Sequence, residues 1–385
     1  MRARLWRGDL HYAGVTLHTA ASGAVAALDT LWLTLDDGGD RGTGEVRLNI
    51  RYLHGYSEEQ VLGNVQHHLT RWDWEQPPEA QLASVHAAQS GLLAPTRMLL
   101  EMALLDLLAR QHQQSLAQWL GATNAPCAIA TNQTLFWGSE TQMMDQAEGY
   151  VARGFTQLKL RTGVADFATD LQRLRALRQR FGEGITLAID VNGQWSVAGA
   201  LERLPQLTSL DLSYVEQPLA PEHDPRLPEL AACGIPLMLD ESLNGEAAIA
   251  RLAGPATGDS QPAQHDTLAP CTSGSAIWAH LKLVKLGGIL PTLRAARRLQ
   301  AAGVKLMIGQ MNEGHAATAA ALQLCRVVQP DFAELYGADG LTDDPVSGLI
   351  YHQGRVSVPD SPGLGVHFDA ARATFLQELN HATTR

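Results

Sequence analysis

The order of apolar and polar positions changes character near residue 125. Before it the pattern is mixed. "LDTLWLTLDDGGDRGTGEV" has two apolar, branched runs flanking a Gly/Asp cluster, which predicts strand, turn, strand. "YSEEQVLGNVQHHL" spaces Val61, Val65 and Leu69 four apart, a helical stripe, and Ser57 with Gln60 has capping-box spacing. "PTRMLLEMALLDLLARQ" predicts a second, very apolar helix. Residues 1–125 are thus expected to form an α+β region.

After residue 125, strand-like and helix-like segments alternate. "AIATNQTLF" precedes a helix that Ser139 caps and Gly154 ends. "FTQLKL" precedes a helix with Phe167, Leu171, Leu174 and Leu177 on one side. "ITLAID", "LSYVEQP", "IPLMLDE", "AHLKLVK", "VKLMIG" and "DFAELYG" complete a set of eight short strands. Such alternation predicts a parallel sheet with helical crossovers. Eight units over residues 126–355 fit a closed, TIM-type (β/α)8 barrel better than an open sheet, so the fold class is α/β. The closing stretch "GRVSVPDSPGLGVHFD" is expected to be a small strand pair returning to the first region, which assigns residues 356–385 to it.

One unit breaks the rhythm. Asp240 and Lys282 are 42 positions apart, against 26 from Asp190 to Glu216 and 24 from Glu216 to Asp240. The excess falls in "GPATGDSQPAQHDTLAPCTSGS", residues 254–275, whose composition predicts an exposed insertion of low order.

Composition narrows the function. Hydrophobic residues make up 45% of the chain and charged ones 18%, enough for an ordinary core. The net charge of -11 argues against nucleic acid or an acidic membrane as partner, because no basic excess exists to displace counterions. A small anionic substrate remains compatible with a local cationic pocket. Cys127, Cys233, Cys271 and Cys325 lie far apart, which predicts neither a disulfide framework nor a zinc-thiolate site. "MRARLWRGDLHYAG" lacks the apolar core of a signal peptide, and "MLLEMALLDLLA" is broken by Glu101 and Asp106 and is too short to span a bilayer. A soluble, cytoplasmic protein is expected.

Catalytic groups of a (β/α)8 barrel sit at the C-terminal ends of its strands. The charged residues there run in order. The second strand ends with Lys159 and Arg161, two cations on one face of a strand. The third ends with Asp190 and then Asn192, the fourth with Glu216, and the fifth with Asp240 and Glu241. The sixth carries Lys282, Glu313 follows the seventh, and the eighth carries Glu334. Taken singly, each has an ordinary explanation: "DVNGQW" is a turn, a carboxylate after a strand caps a helix, and Lys282 and Lys285 are two solvated lysines. Taken together, three consecutive strands deliver carboxylates framed by strands that deliver cations. A trio of carboxylates without His or Cys is a hard-cation site, and oxygen-only ligands favour Mg²⁺, or Mn²⁺, over zinc. His18 and His280 are lone and are assigned to packing or loops.

The ordered pieces "GFTQLKLRTG", "LAIDVNGQW", "YVEQPL", "IPLMLDESL", "LKLVKLGGI" and "PGLGVHFD" resemble the enolase superfamily, and most closely its muconate-cycloisomerase branch, the mandelate racemase/muconate lactonizing enzyme family. "GTGEV" and "MALLDLLAR" extend the likeness into the first region. The resemblance implies a capping domain built from both termini, Asp190, Glu216 and Asp240 as Mg²⁺ ligands, and Lys282 as an acid/base lysine. It implies Lys159 and Arg161 on the other side of a small carboxylate substrate, and loops around residues 17–25 and Tyr52 that select it. Asn192, Glu241 and Glu313 would touch the ligands or the substrate. Barrels of this kind are often homo-oligomers. The chemistry implied is removal of a proton next to a carboxylate, with the enolate stabilised by the metal and flanking cations, and with Lys282 made basic by nearby positive charge.

The chain departs from the branch at one position. A second lysine is usual where Arg161 stands, and a guanidinium is a poor proton acceptor. The expected reaction is therefore one-base isomerisation or elimination, with Lys282 moving the proton. The alternative is a racemase or epimerase of an amino-acid derivative. A catalytically silent, carboxylate-binding barrel is the alternative of another class. Dipeptide epimerases of the branch usually carry Asp-x-Asp on the eighth strand, and Glu334-Leu335-Tyr336 here counts against dipeptides.

Overall fold

The structure is a computed structural model that describes residues 1–13, 17–19, 23–124, 127–136, 138–163, 165–254 and 277–380. Nearly all of the expected 254–275 insertion, with Cys271, lies outside the described residues, as does the side chain of His18.

The first region is built on an antiparallel sheet ordered Thr374–Leu379, Arg2–Leu10, Leu28–Asp37, Asp40–Arg47. The two middle-sequence strands form the hairpin expected around Gly38 and Gly39. The helix Ala94–Gln111 packs against this sheet so closely that a side chain on Gly42 or Gly44 would run into its backbone at Ala103 or Leu99. This close approach explains the glycines of "GTGEV". The two acids that interrupt the helix's apolar run are buried staples. Asp106 accepts the backbone N–H groups of Thr43 (2.9 Å) and Leu364 (2.7 Å). Glu101 accepts those of Ile289 and Leu290, the first turn of the barrel helix Ile289–Ala301. Both carboxylates thus satisfy backbone donors that burial would otherwise leave unpaired.

The barrel strands are Gln133–Leu135, Gln157–Arg161, Thr186–Asp190, Leu212–Glu216, Leu237–Leu239, Ile277–Lys282, Leu306–Gly309 and Phe332–Glu334, paired in parallel in chain order. Between the eighth and the first, the N–H of Asn132 donates to the carbonyl of Ala333 at 3.2 Å. The interior is layered. Ala188, Tyr214, Met238, Trp278 and Met307, with Phe332 against them, form an apolar plug. Two residues further along each of these strands stand Asp190, Glu216, Asp240, His280, Gly309 and Glu334. Because side chains i and i+2 share a face, a charged layer rests on a dry apolar floor.

The closing stretch differs from expectation. Arg355–Ser357 pairs with Ile350–His352 and with Ile129–Ala130, not with the first region. The strand that joins the antiparallel sheet is Thr374–Leu379. It is an edge strand with Phe375 and Leu376 exposed, so it carries little of the burial pattern that marks a strand in sequence. Among the described residues, no helix is long and apolar enough to cross a membrane.

Candidate active site

The first region contacts the loops that follow the seventh and eighth strands, at the C-terminal face of the barrel. Glu45 accepts the N–H groups of Gly314 (2.6 Å) and Ala316 (3.0 Å) at the start of the helix His315–Val328. Arg47 Nη1 donates to the carbonyl of Asn312 at 3.2 Å, and the Tyr12 hydroxyl donates to the carbonyl of Gly337. The charged layer lies beneath.

Lys159 points into the barrel and is buried. Its Nζ donates to Glu216 Oε2 at 2.7 Å, pairs with Glu334, and lies 4.0 Å from Asp190 Oδ2. Burial alone would depress this ammonium, but Glu216, Glu334 and Asp190 outweigh it and hold its pKa well above the lysine range. Glu216 is driven below the usual carboxylate range: burial opposes its charge, and Lys159 and His280 prevail. His280 Nδ1 lies 2.8 Å from Glu216 Oε1. Burial, then Lys282, lowers the pKa of this imidazole. The assignment of His280 to packing is therefore corrected. It is two residues before Lys282 on one strand, so the alternation that aims Lys282 inward aims His280 inward as well.

Asp240 carries two ammoniums. Lys282 Nζ donates to Oδ2 at 2.6 Å and Lys285 Nζ to Oδ1 at 2.5 Å. Both lysines are buried, which corrects the solvated reading of "KLVKLGG". Burial raises and the lysines, Lys282 foremost, lower the Asp240 carboxyl, which ends well below its usual range. Lys282 itself was expected to be made basic by positive neighbours. Its nearest charge is instead the Asp240 carboxylate, and although burial opposes, the pKa is raised. Burial lowers that of Lys285.

Asp190 sits slightly apart. Burial, then Glu216, pushes its pKa up to about 6. It accepts the backbone N–H of Asn192 at 3.0 Å and the side-chain amide of Asn192 at 3.2 Å. Asn192 takes a positive φ of 48°, tolerable for asparagine, and is followed by Gly193 at 72°. "DVNGQW" is therefore both a turn and a scaffold. Asn192 also donates to Glu241 Oε1 at 3.1 Å, and burial pushes Glu241 up to about 7. Arg161 Nη1 donates to Asn192 Oδ1 at 3.2 Å, and its guanidinium lies 5.8 Å from the Phe136 ring centre. Burial opposes its charge, but Asp190 keeps it firmly protonated. Glu313 is buried, accepts the Met311 N–H at 3.0 Å, and is pushed up to about 7 by burial.

Among the described residues, those grouped tightly enough for one cation are Glu216, Asp240 and His280, whose ligand atoms lie within 4.8 Å of one another. Asp190 lies outside that group, one strand away. The donor set is carboxylate-rich and buried, which fits a hard divalent cation. Gln217, unremarked in the sequence, ties two of these strand ends together at a positive φ of 36°. Its Oε1 accepts the N–H groups of Asp240 (2.9 Å) and Ser242 (3.2 Å), and its Nε2 donates to Ser242 Oγ at 2.7 Å. Glu334 is committed to Lys159 and to the Asn132 amide (3.0 Å).

The sequence model of the enolase C-terminal domain-like family matches residues 142–372. The chain is 30% identical over 278 residues to the N-succinylamino acid racemase of Amycolatopsis sp, covering 69% of this chain and 67% of that protein. It is 29% identical over 343 residues to the L-Ala-D/L-Glu epimerase of Escherichia coli (strain K12), covering 88% and 96%. The crystal structure of N-succinyl Arg/Lys racemase from Bacillus cereus superposes with a TM-score of 0.85 at 20% identity over 98% of each chain, a likeness of fold.

Proposed function

Because this chain belongs to the enolase superfamily, within its mandelate racemase/muconate lactonizing enzyme family, we propose that it is a divalent-metal-dependent racemase or epimerase of an amino-acid derivative. One observation carries the reading: cations reach the buried carboxylate layer from the second and the sixth of eight strands, which stand across the barrel from each other. A substrate lying over that layer would present one face of its α-carbon to each side.

Glu216 and Asp240, which lie together, and Asp190, one strand away, would hold Mg²⁺ or Mn²⁺, which would supply Lewis-acid polarisation of the substrate carboxylate; with Asp240 so engaged, the Lys282 ammonium would lose its counter-charge. Lys282 then takes the α-proton on one face. Lys159, which Glu216 and Glu334 hold as an ammonium, serves the other face as the acid that returns the proton, a transfer that a guanidinium performs poorly. Arg161 holds anionic oxygen and stabilises the enolate as a fixed cation. The names of the relatives, racemases and epimerases of amino-acid derivatives, favour this reading over isomerisation or elimination. The eighth strand offers no free acidic pair for an α-ammonium, which favours an N-acylated amino acid over a dipeptide.

A second reading, one-base isomerisation or elimination, is favoured by the anchoring of Arg161 through Asn192 and Phe136. The two separate in D₂O. The protein with Mg²⁺ is incubated with N-acyl amino acids, dipeptides and other carboxylic acids, and the α-proton signal and product configuration are followed. Deuterium in both configurations supports racemisation. A single product without scrambling supports the second reading. Exchange undiminished in Lys282→Ala would sink the role given to Lys282 in both.

A further inference from the structure

Two guanidinium groups act on each other where the capping region meets the barrel mouth, and neither has a carboxylate partner among the described residues. Arg47, on the strand Asp40–Arg47, is 2% exposed. Its Nε donates to Asn49 Oδ1 at 2.7 Å and its Nη1 to the Asn312 carbonyl at 3.2 Å, both neutral acceptors. Among the described residues, no carboxylate oxygen comes within 4.0 Å of it. Arg161 is in the same state. It has the Asn192 side chain as acceptor, and its Nε is buried without a partner. Burial lowers the pKa of Arg47, Arg161 pushes in the same direction, and Tyr52, Tyr12 and Glu313 oppose. Glu313, the one carboxylate among these, takes its hydrogen bond from the Met311 N–H. The hydroxyl of Tyr52, which is within electrostatic reach of Arg47, Arg161 and Lys282, has no hydrogen-bond partner either.

Buried cations and donors without anionic partners are costly. Their charges also divide in space. Asp190 is the foremost charge acting on Arg161, whereas burial acts most on Arg47, and its bonded acceptors belong to Asn49 of the cap and to the loop after the seventh strand. Arg161 therefore bridges the carboxylate layer and the cap, and Arg47 lies on the cap side.

We infer that Arg47, assisted by Tyr52 and Arg161, receives a second anionic group of the substrate, a carboxylate remote from the reacting carbon on the acyl portion or side chain. Arg47 is thus a specificity residue supplied by the capping region. The inference rests on the reading of the barrel as an α-proton-transfer site, which supplies the first carboxylate. The competing role for Arg47 is structural: its bond to Asn312 pins the cap to the barrel.

Calorimetric titration of the full chain with Mg²⁺ separates these, using N-succinylglycine against N-butanoylglycine, which differ in the terminal carboxylate. A site built for an ion-paired group rejects the analogue lacking it, so the succinyl ligand is expected to bind about tenfold or more tightly. Arg47→Gln should bring that ratio close to one, and Arg47→Lys should keep part of it. Equal affinity of the two ligands in the unmodified protein, or no measurable binding of either, overturns the inference, whatever the variants do. Equal weakening of both ligands by Arg47→Gln also overturns it, because a structural pin predicts that result. A retained succinyl preference without any α-proton exchange would sink the proton-transfer reading and leave Arg47 as the carboxylate receptor.

Discussion

Asp240 and Lys285 are joined at 2.5 Å on the carboxylate oxygen that Lys282 leaves free. One buried carboxylate thus balances two buried ammoniums. Asp240→Asn would leave both cations without their counter-charge. Breaking a buried pair in this way costs about 3–5 kcal/mol. Lys282→Met is milder, because Asp240 keeps Lys285. Urea denaturation should show the larger loss for Asp240→Asn, and α-proton exchange should vanish in both. A fully stable Asp240→Asn protein would refute the pairing as the element that holds this corner.

Gly309 and His280 share one space on neighbouring strands. A side chain on Gly309 would strike the His280 Nε2 atom. Gly309→Ala should therefore cost about 1–3 kcal/mol by overpacking. In the His280→Ala background the same change should cost much less, and the double-mutant cycle measures the difference. Additive effects would show that the two positions do not interact.

Much of the charged layer was readable from spacing, because a barrel converts chain order into neighbouring strand ends. Asp190, Glu216, Asp240 and Lys282 needed only the βα rhythm and the rule that function sits at the C-terminal face. His280 was equally readable: it stands two residues before Lys282, on the face that the same reasoning assigned to the interior. Gln217 and Asn132 were not readable, because they act through side-chain amide hydrogen bonds to residues one or more strands away, and no local pattern marks an amide's partner. Lys285 was misjudged for a related reason. A lysine in a turn after a strand is usually solvated, and only the fold shows Asp240 beneath it. The cap's last strand was placed too early because an exposed edge carries little hydrophobic signal.

Glu313 should give the stability of this protein a measurable pH slope. Burial raises its carboxyl from an ordinary value of 4.5 to about 7. In that window the folded state keeps a proton that the unfolded chain has lost, so stability falls as pH rises from about 4.5 to about 7 and levels off above. The contribution is on the order of 3 kcal/mol at most. Glu313→Gln removes it. Urea denaturation at pH 5 and pH 8 should show the variant gaining on the unmodified protein as pH rises. Parallel profiles would mean that Glu313 ionises in the native state at its ordinary value.

Glu216 is the proposed ligand whose loss should be most visible in metal binding. It is fully buried, it is ionised throughout the neutral range, and it stands between Asp190 and Asp240 on the strand order. A divalent cation that binds only the folded protein raises its stability in proportion to the logarithm of ion concentration over Kd. Thermal melting of the unmodified protein should therefore shift upward with added Mg²⁺ or Mn²⁺, and fall back with a chelator. Glu216→Gln should abolish the shift. It should also lower the starting stability, because Lys159 loses one of its two closest carboxylates and keeps Glu334, with Asp190 at 4.0 Å. The two effects separate in one experiment, since the first depends on ion concentration and the second does not. A melting temperature indifferent to Mg²⁺ and Mn²⁺ in the unmodified protein would remove the metal from the proposed chemistry, and leave the stabilisation of an enolate to Lys159, Arg161 and Lys282.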